Sequence, residues 1–221
     1  MTGPLPRQGR GASANQADYS QSFIRQVHEL LLMGYGRLAP ADHTHEEEPA
    51  ISGRLVEAIN AILDSPTCPR PFHLLSVHDD PPVSGDGRKG KRRRRVDIRI
   101  ESLRPRPRAR FSFEAKRLGP DHPVCLYVGE EGLGCFVNGI YAREAPVAGM
   151  LGYVQSGTPP EWAKRIENAM ARRQPNVRVV QGQEWVPVTV APGLDDTYVT
   201  GHDRPSVGRP IHIYHTLLVF N

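Results

Sequence analysis

Apolar side chains recur every three or four residues in three parts of the chain. This spacing places them on one stripe of an α-helix, which can then pack against a core. Pro49 and Pro159 stand at the start of two of these segments, where the missing backbone N–H does no harm. The predicted helices are residues 18–33, 49–63 and 159–174.

Shorter apolar runs bounded by proline and glycine predict β-strands. The predicted strands are residues 72–77, 95–100, 109–116, 133–142, 176–190 and 211–220, and a further helix is predicted from Pro146 to Gln155. The last strand is apolar on both faces, which is typical of the centre of a sheet. These elements predict a mixed α/β protein in which helices pack on a central sheet.

Length and composition fit one folded domain. The chain has 221 residues, of which 38% are hydrophobic and 24% charged, and this is enough for a substantial core. We expect a disordered tail over residues 1–16 and a single domain over residues 17–221. No apolar run is long enough to span a membrane or to act as a secretory signal. With three cysteines and no CxxC pair, a cytoplasmic protein without disulfides or structural zinc is predicted.

Positive charge is concentrated in one part of the chain. The net charge is only +4, but residues 88–110 hold a dense cluster of arginine and lysine. The cluster begins within a long polar connection, residues 78–95, that we expect to be a mobile basic loop. Such a cluster attracts polyanions, although a solubilising loop or a localisation signal is an open alternative. The candidate nucleic-acid-binding residues are Lys91, Arg92, Arg93, Arg94 and Arg95.

Two acidic residues and a lysine lie in adjacent predicted strands. Asp97 is in one strand, and Glu114 and Lys116 are in the next. Because side chains alternate along a strand, Glu114 and Lys116 point to the same face. Carboxylates are ligands for Mg²⁺, and a nearby lysine can offset charge that builds up on phosphorus. The alternative is a surface ion pair between the strands. Against it, burying unpaired charge in an interior strand costs free energy, which a functional role would account for.

The segments VDIRI and FSFEAKRL together resemble the PD-(D/E)xK nuclease superfamily, over roughly residues 46–156. Val96 stands where the name of the motif has proline. The resemblance implies a restriction-endonuclease-like fold, with a central mixed sheet flanked by helices. It also implies that Asp97, Glu114 and the backbone carbonyl of Ala115 bind Mg²⁺ or Mn²⁺, and that Lys116 is the catalytic lysine.

The same resemblance suggests two further site residues. Glu48 would come from the first core helix, with Glu46 and Glu47 as competitors for that role. Gln155 would come from the end of the helix predicted at residues 146–155. A solvated acidic helix start and an exposed glutamine are the plainer interpretations.

Several histidines give weaker indications. The stretch TYVTGHDR before the final strand resembles the tail of some small defence-type nucleases; the residues concerned are Tyr198, His202, Arg204 and, on the strand itself, His215. A hydrogen-bonded core histidine is the plainer interpretation of His215. His43 and His45 fit a solvated loop better than a metal site.

The sequence thus predicts a metal-dependent endonuclease that hydrolyses DNA, with a role in defence against foreign DNA by analogy. A chain of this size has little room for a separate recognition domain, so we expect a protein partner or a homo-oligomer to provide targeting or activation. Two alternatives are open: a catalytically inactive nucleic-acid-binding subunit with the same fold, and a phosphodiesterase acting on RNA or small nucleotides.

Overall fold

All three helices predicted from apolar spacing form. The computed structural model describes residues 12–39, 43–83, 88, 90–104 and 108–221. Its helices are α1 (Ala12–Tyr35), α2 (Glu48–Leu63), α3 (Val124–Tyr127), α4 (Leu133–Val137), α5 (Pro159–Arg172) and α6 (Gln174–Val177). At the start of α5, Glu161 accepts a hydrogen bond from the backbone N–H of Thr158 at 3.0 Å, which satisfies one of the N–H groups left open at a helix start. None of the helices in the described ranges has the length and apolar character to cross a bilayer.

The strands form one mixed sheet, as the sequence predicts. They are β1 (Leu75–Asp79), β2 (Ile98–Ser102), β3 (Arg110–Leu118), β4 (Val147–Val154), β5 (Val186–Pro187), β6 (Thr197–His202) and β7 (Ile211–Val219). Their order across the sheet is β1-β2-β3-β4-β7-β6-β5. The pairs β3–β4 and β4–β7 are parallel, and the other pairs are antiparallel. The predicted central position of the last strand is confirmed, because β7 lies between β4 and β6.

Each face of the sheet is covered by its own hydrophobic core. The first core joins α1 and α2 to one face of β1, β2, β3 and β4. The second core joins α3, α4 and α5 to the opposite face of β3, β4 and β7. Alternation along β3 divides its residues between the two: Phe113 and Ala115 belong to the first core, and Leu118 to the second. The sheet is therefore a middle layer between two sets of helices.

Two neighbouring predictions were wrong and are exchanged in the structure. Residues 133–142, predicted as a strand, begin with α4, and residues 146–155, predicted as a helix, contain β4. Seven of the eight residues of β4 are buried, so the strand lacks the alternation that marks a half-exposed strand. Two glycines of β4 fit the close packing of a strand between β3 and β7. A Cβ on Gly149 would lie 2.3 Å from a ring carbon of Phe113, and one on Gly152 would lie 2.5 Å from Leu217. These glycines let neighbouring side chains close over the strand.

Other boundaries also moved. Of the strand predicted at residues 176–190, Val186 and Pro187 form β5 and Val179 makes an isolated bridge to His202, while the segment before them contains α6. The strand predicted at 72–77 begins instead at Leu75, after a 3₁₀ turn. Helix α1 begins at Ala12, so the last part of the predicted tail is helical, and residues 1–11 lie outside the described residues.

The predicted basic loop at residues 78–95 is described only in part. Residues 84–87 and 89 lie outside the described residues. On either side of them, the N–H of Val83 donates to the carbonyl of Arg94 at 2.8 Å, and residues 90–92 form a 3₁₀ turn. The two ends of this connection are therefore tied together next to the start of β2.

Candidate active site

Strand alternation and sheet register bring Asp97 beside Glu114. Asp97 directly precedes β2, and β2 runs antiparallel to β3 with Ile98 opposite Phe113. The backbone N–H of Ala115 donates to Asp97 Oδ2 at 2.6 Å. The Asp97 carboxylate is thus fixed at the strand that carries Glu114 and Lys116, as the sequence predicts.

Lys116 is the centre of the charged cluster. Its Nζ donates to Glu48 Oε1 at 2.9 Å, to Glu114 Oε1 at 2.9 Å and to the carbonyl oxygen of Ala115 at 2.7 Å. An ammonium group has three N–H donors, so all of them are used. The side chains of Lys116 and Glu114 are 15% and 7% exposed, which places this ion pair largely out of water.

The structure distinguishes Glu48 from its two competitors. Glu48 is the first residue of α2, and its Oε2 also accepts from the backbone N–H of Arg117 at 3.2 Å. Glu46 instead pairs with Arg54 at 2.9 Å, and Glu47 pairs with Arg117 at 2.6 Å. Of the three glutamates, Glu48 is the one that reaches the lysine.

Gln155 lies at a different place from the one predicted. It follows β4 rather than ending a helix, and its Nε2 donates to the carbonyls of His43 and Glu46 at 3.2 and 2.9 Å. These carbonyls belong to the segment that leads into α2. Gln155 therefore holds the backbone that positions Glu48, and its amide nitrogen bonds to that backbone rather than to the charged side chains.

Burial changes the acid–base properties of the cluster. Burial raises the pKa of the Glu114 carboxyl to about 8, with the negative charge of Asp97 adding to the effect and Lys116 opposing it. Burial likewise raises the pKa of Asp97 to about 6, against the hydrogen bond from Ala115. For Lys116, burial lowers the pKa, but Glu114 and Glu48 outweigh it and the net shift is upward. Glu114 Oε2 is buried and has no hydrogen-bond partner among the residues that the structure describes, so one carboxylate oxygen is desolvated without compensation.

Cys135 and Tyr141, which the sequence did not assign, both interact electrostatically with Glu114. Arg94 Nη1 lies 3.6 Å from Cys135 Sγ, and Cys135 interacts with the Tyr141 hydroxyl. Burial and then the charge of Glu114 raise the pKa of both the Cys135 thiol and the Tyr141 hydroxyl. Cys135 and Tyr141 were not selected from the sequence because their segment was predicted as a strand. The apolar run CFVNGIY does indicate a buried element, and that was the available signal for these residues.

The five candidate nucleic-acid-binding residues are not equivalent. Lys91 and Arg92 are exposed on the 3₁₀ turn. Arg95 forms an ion pair with Asp80. Arg93 and Arg94 are half-buried, and Arg94 turns towards Cys135. Arg95 is also exposed, so what distinguishes Lys91 and Arg92 is that no ion pair with another described residue neutralises their charge.

The cluster of Glu48, Asp97, Glu114 and Lys116 is assembled from three separate segments of the chain. No family model, curated protein or solved structure matches this chain. The chemistry of the site itself must therefore support any function.

The described residues include no ready-made group of three or more His, Cys, Asp or Glu side chains placed to hold a metal ion. In the acidic cluster, the ammonium of Lys116 stands between Glu48 and Glu114, and an Asp97 oxygen is engaged by backbone. At the alternative site, His43 Nδ1 lies 3.1 Å from Glu46 Oε2, while His45 is exposed.

His202 and His215 belong to a buried hydrogen-bonded chain. His215 contacts the Tyr127 hydroxyl at 3.1 Å and Thr200 Oγ1 at 2.8 Å, and Thr200 also contacts His202 at 2.6 Å. His202 Nδ1 then donates to the carbonyl of Val177 at 2.6 Å. Both histidines are fully buried, which confirms the interpretation of His215 as a hydrogen-bonded core residue.

The other two residues of the TYVTGHDR segment also have structural contacts. Arg204 is buried and donates to the carbonyls of Ala142 and Ala145, each at 3.0 Å. Tyr198 stacks on Trp185 with 4.6 Å between the ring centres. Arg204 therefore ties the chain after β6 to the segment before β4, and Tyr198 completes the packing around β6.

Proposed function

We propose that this chain is a divalent-metal-dependent nuclease with a restriction-endonuclease-like fold, which hydrolyses phosphodiester bonds in DNA. The observation that carries the proposal is the convergence of Asp97, Glu114 and Lys116 with Glu48, which lies 68 positions from the lysine. A chance surface ion pair does not require a glutamate from a separate helix. It also does not require burial of the acidic partner.

The oxygen atoms of the site fit Mg²⁺ or Mn²⁺. Carboxylates and a backbone carbonyl are hard ligands of the kind these cations prefer. The unpartnered Oε2 of Glu114 is costly in a desolvated site, and a cation would compensate it. Glu114, Glu48, Asp97 and the carbonyl of Ala115 are the groups that would hold the metal. When bound, it would polarise the scissile phosphate and make an attacking water more acidic.

The residues of the chain would orient and stabilise the reacting groups. The N–H of Ala115 keeps Asp97 against β3, and the N–H of Arg117 fixes Glu48. Lys116 would neutralise part of the negative charge that develops on phosphorus. Exposed Lys91 and Arg92 would bind phosphates on either side of the scissile one without reading the bases.

The proposal is tested by incubating purified protein with supercoiled plasmid, linear duplex, single-stranded DNA and RNA in Mg²⁺, Mn²⁺ or EDTA. We expect cleavage of DNA with either metal and no cleavage in EDTA. Glu114→Gln, purified in parallel, controls for contaminating nucleases and should be inactive. Cleavage of RNA but not DNA would change the substrate class, and activity retained in EDTA would contradict a metal-dependent reaction.

One observation favours the second candidate, an inactive nucleic-acid-binding subunit. The ammonium of Lys116 already satisfies oxygens of Glu48, Glu114 and Ala115, so the cluster is stabilised without a metal. Such a subunit would bind duplex DNA but leave every substrate intact at millimolar Mg²⁺ and Mn²⁺. The same panel, run with a binding measurement, separates the two functions.

A further inference from the structure

The ammonium of Lys116 sits at a point where three oxygen atoms converge. Glu48 Oε1, Glu114 Oε1 and the carbonyl oxygen of Ala115 lie 2.9, 2.9 and 2.7 Å from Nζ. Two of these oxygens belong to carboxylates and the third to the backbone of β3. They come from two elements, α2 and β3, and the lysine is the group that they have in common.

These oxygens have the chemistry of a divalent-cation site. The lysine therefore supplies one positive charge where Mg²⁺ or Mn²⁺ would supply two. The two cations also cannot be bound at the same point, because they would repel each other and compete for the same oxygens. The Lys116 stem has several rotatable bonds, whereas the carbonyl of Ala115 is fixed in the sheet.

We propose that Lys116 is an internal cation that holds the metal position in the metal-free protein and leaves it when a divalent metal binds. This inference rests on the proposed function, because it concerns the same site. It gives the lysine two successive roles. All three of its donors are occupied before metal binding, so it can donate to a substrate phosphate only after it has been displaced. Readiness for cleavage is thereby coupled to occupation of the metal site.

The first test measures Mn²⁺ affinity by calorimetric titration in the absence of DNA, so that no cleavage is involved. Lys116→Met vacates the three oxygens and should bind Mn²⁺ about tenfold more tightly or better, since the competing cation is gone. Arg95→Met is the matched control. It removes another positive charge, 43% exposed and paired with Asp80, but leaves Lys116 in place, so its affinity should change by less than about threefold.

Equal or weaker Mn²⁺ binding by Lys116→Met would overturn the inference. An equally large gain in Arg95→Met would also overturn it, because general charge repulsion would then explain both. If Lys116→Met does not fold, Lys116→Gln takes its place, with the same expectations.

A second measurement uses the unmodified protein. Acetylation of Lys116 by dilute acetic anhydride is followed by mass spectrometry with and without Mg²⁺. Exposed Lys164 serves as the internal reference. Displacement predicts faster acetylation of Lys116 when Mg²⁺ is present, and an unchanged or slower rate would contradict it. If the wild type cleaves DNA but the acetylation rate of Lys116 does not change with Mg²⁺, this inference alone is overturned. If neither the wild type nor Lys116→Met binds a divalent metal, the proposed function is overturned as well.

Discussion

Glu114 is buried more deeply than an ordinary ion-paired carboxylate. Its raised pKa of about 8 compares with an ordinary value of 4.5. The protonated form therefore contributes stability that is fully present below pH 4.5 and is lost as the pH rises through about 8. Above that pH the folded protein bears the cost of a desolvated charge.

Glu114→Gln should therefore separate activity from stability. We expect the cleavage rate to fall on the order of 100-fold or more, because a proposed metal ligand is removed. The melting temperature should be higher than that of the wild type at pH 6 and higher by a larger margin at pH 8.5, since glutamine does not ionise and the wild type loses stability between pH 4.5 and about 8. Cleavage rates and thermal unfolding at both pH values check this. A variant that cuts at the wild-type rate would remove Glu114 from the site.

At the scale of elements, Gln155 connects the end of β4 to the segment before α2. Gln155→Ala deletes hydrogen bonds to the carbonyls of His43 and Glu46 and should cost about 1 to 2 kcal/mol of unfolding free energy. Because Glu48 would lose its fixed position, we also expect about tenfold weaker Mn²⁺ binding and slower cleavage.

Gln174→Ala provides the matched control for Gln155→Ala. The amide of Gln174 also bonds to backbone, donating to the carbonyl of Val179 at 2.9 Å and accepting from its N–H at 3.3 Å, but at α6. A comparable loss of stability with normal Mn²⁺ affinity is expected for this variant. If both variants weaken Mn²⁺ binding equally, Gln155 has no particular role in positioning Glu48.

The 3₁₀ turn before β2 is the element expected to bind DNA backbone. Replacing both exposed residues, Lys91 and Arg92, with alanine should lower the magnitude of the salt slope of duplex binding by up to about 2. The rate at saturating DNA should change little, because these residues act on binding. Arg95→Ala, which removes a charge already paired with Asp80, should change the slope less.

The binding measurements belong in the inactive Glu114→Gln background, across a salt series and with two unrelated duplex sequences. Similar losses on both sequences are expected, since phosphate contacts carry no base information. If log affinity plotted against log salt concentration has the same slope for the double variant and its parent, the turn does not bind DNA.

At the scale of the whole molecule, buried histidines on both faces of the sheet make the fold sensitive to acid. Burial lowers the pKa of His28 in the α1 layer to about 4, and of His202 on the other side to about 4. The unfolded chain binds protons at these positions below about pH 6.5, while the folded chain does not. Their contribution to stability is therefore present above pH 6.5 and is lost as the pH falls through about 4.

His28→Phe should reduce this acid sensitivity. His28 Nδ1 donates to the carbonyl of Ile24 within α1 at 2.8 Å, and the ring packs edge-on against Phe111, so phenylalanine suits the site. Between pH 7.5 and pH 4.5 the wild type should lose up to about 3 kcal/mol more unfolding free energy than the variant. Urea unfolding at the two pH values measures the difference. Identical losses would mean that His28 does not control the acid response.

The sequence by itself determined the features that depend on neighbouring residues. Apolar spacing gave the helices α1, α2 and α5 because a helix repeats every 3.6 residues. Alternation along β3 put Glu114 and Lys116 on one side, and Asp97 followed from the adjacent strand. These inferences need only local geometry, and the structure agrees with each of them.

Tertiary structure decided the features that depend on what surrounds a segment. Residues 146–155 are apolar at nearly every position, so their own pattern does not distinguish a buried strand from a buried helix; their pairing with β3 and β7 selects the strand. The sequence favoured Glu48 but left Glu46 and Glu47 as competitors, and the packing of α2 against β3 is what brings Glu48 to the lysine. The contacts of Lys116 join residues as far as 68 positions apart in the chain. The register of the sheet and the burial of both its faces fix such a contact. Local periodicity therefore does not reveal it.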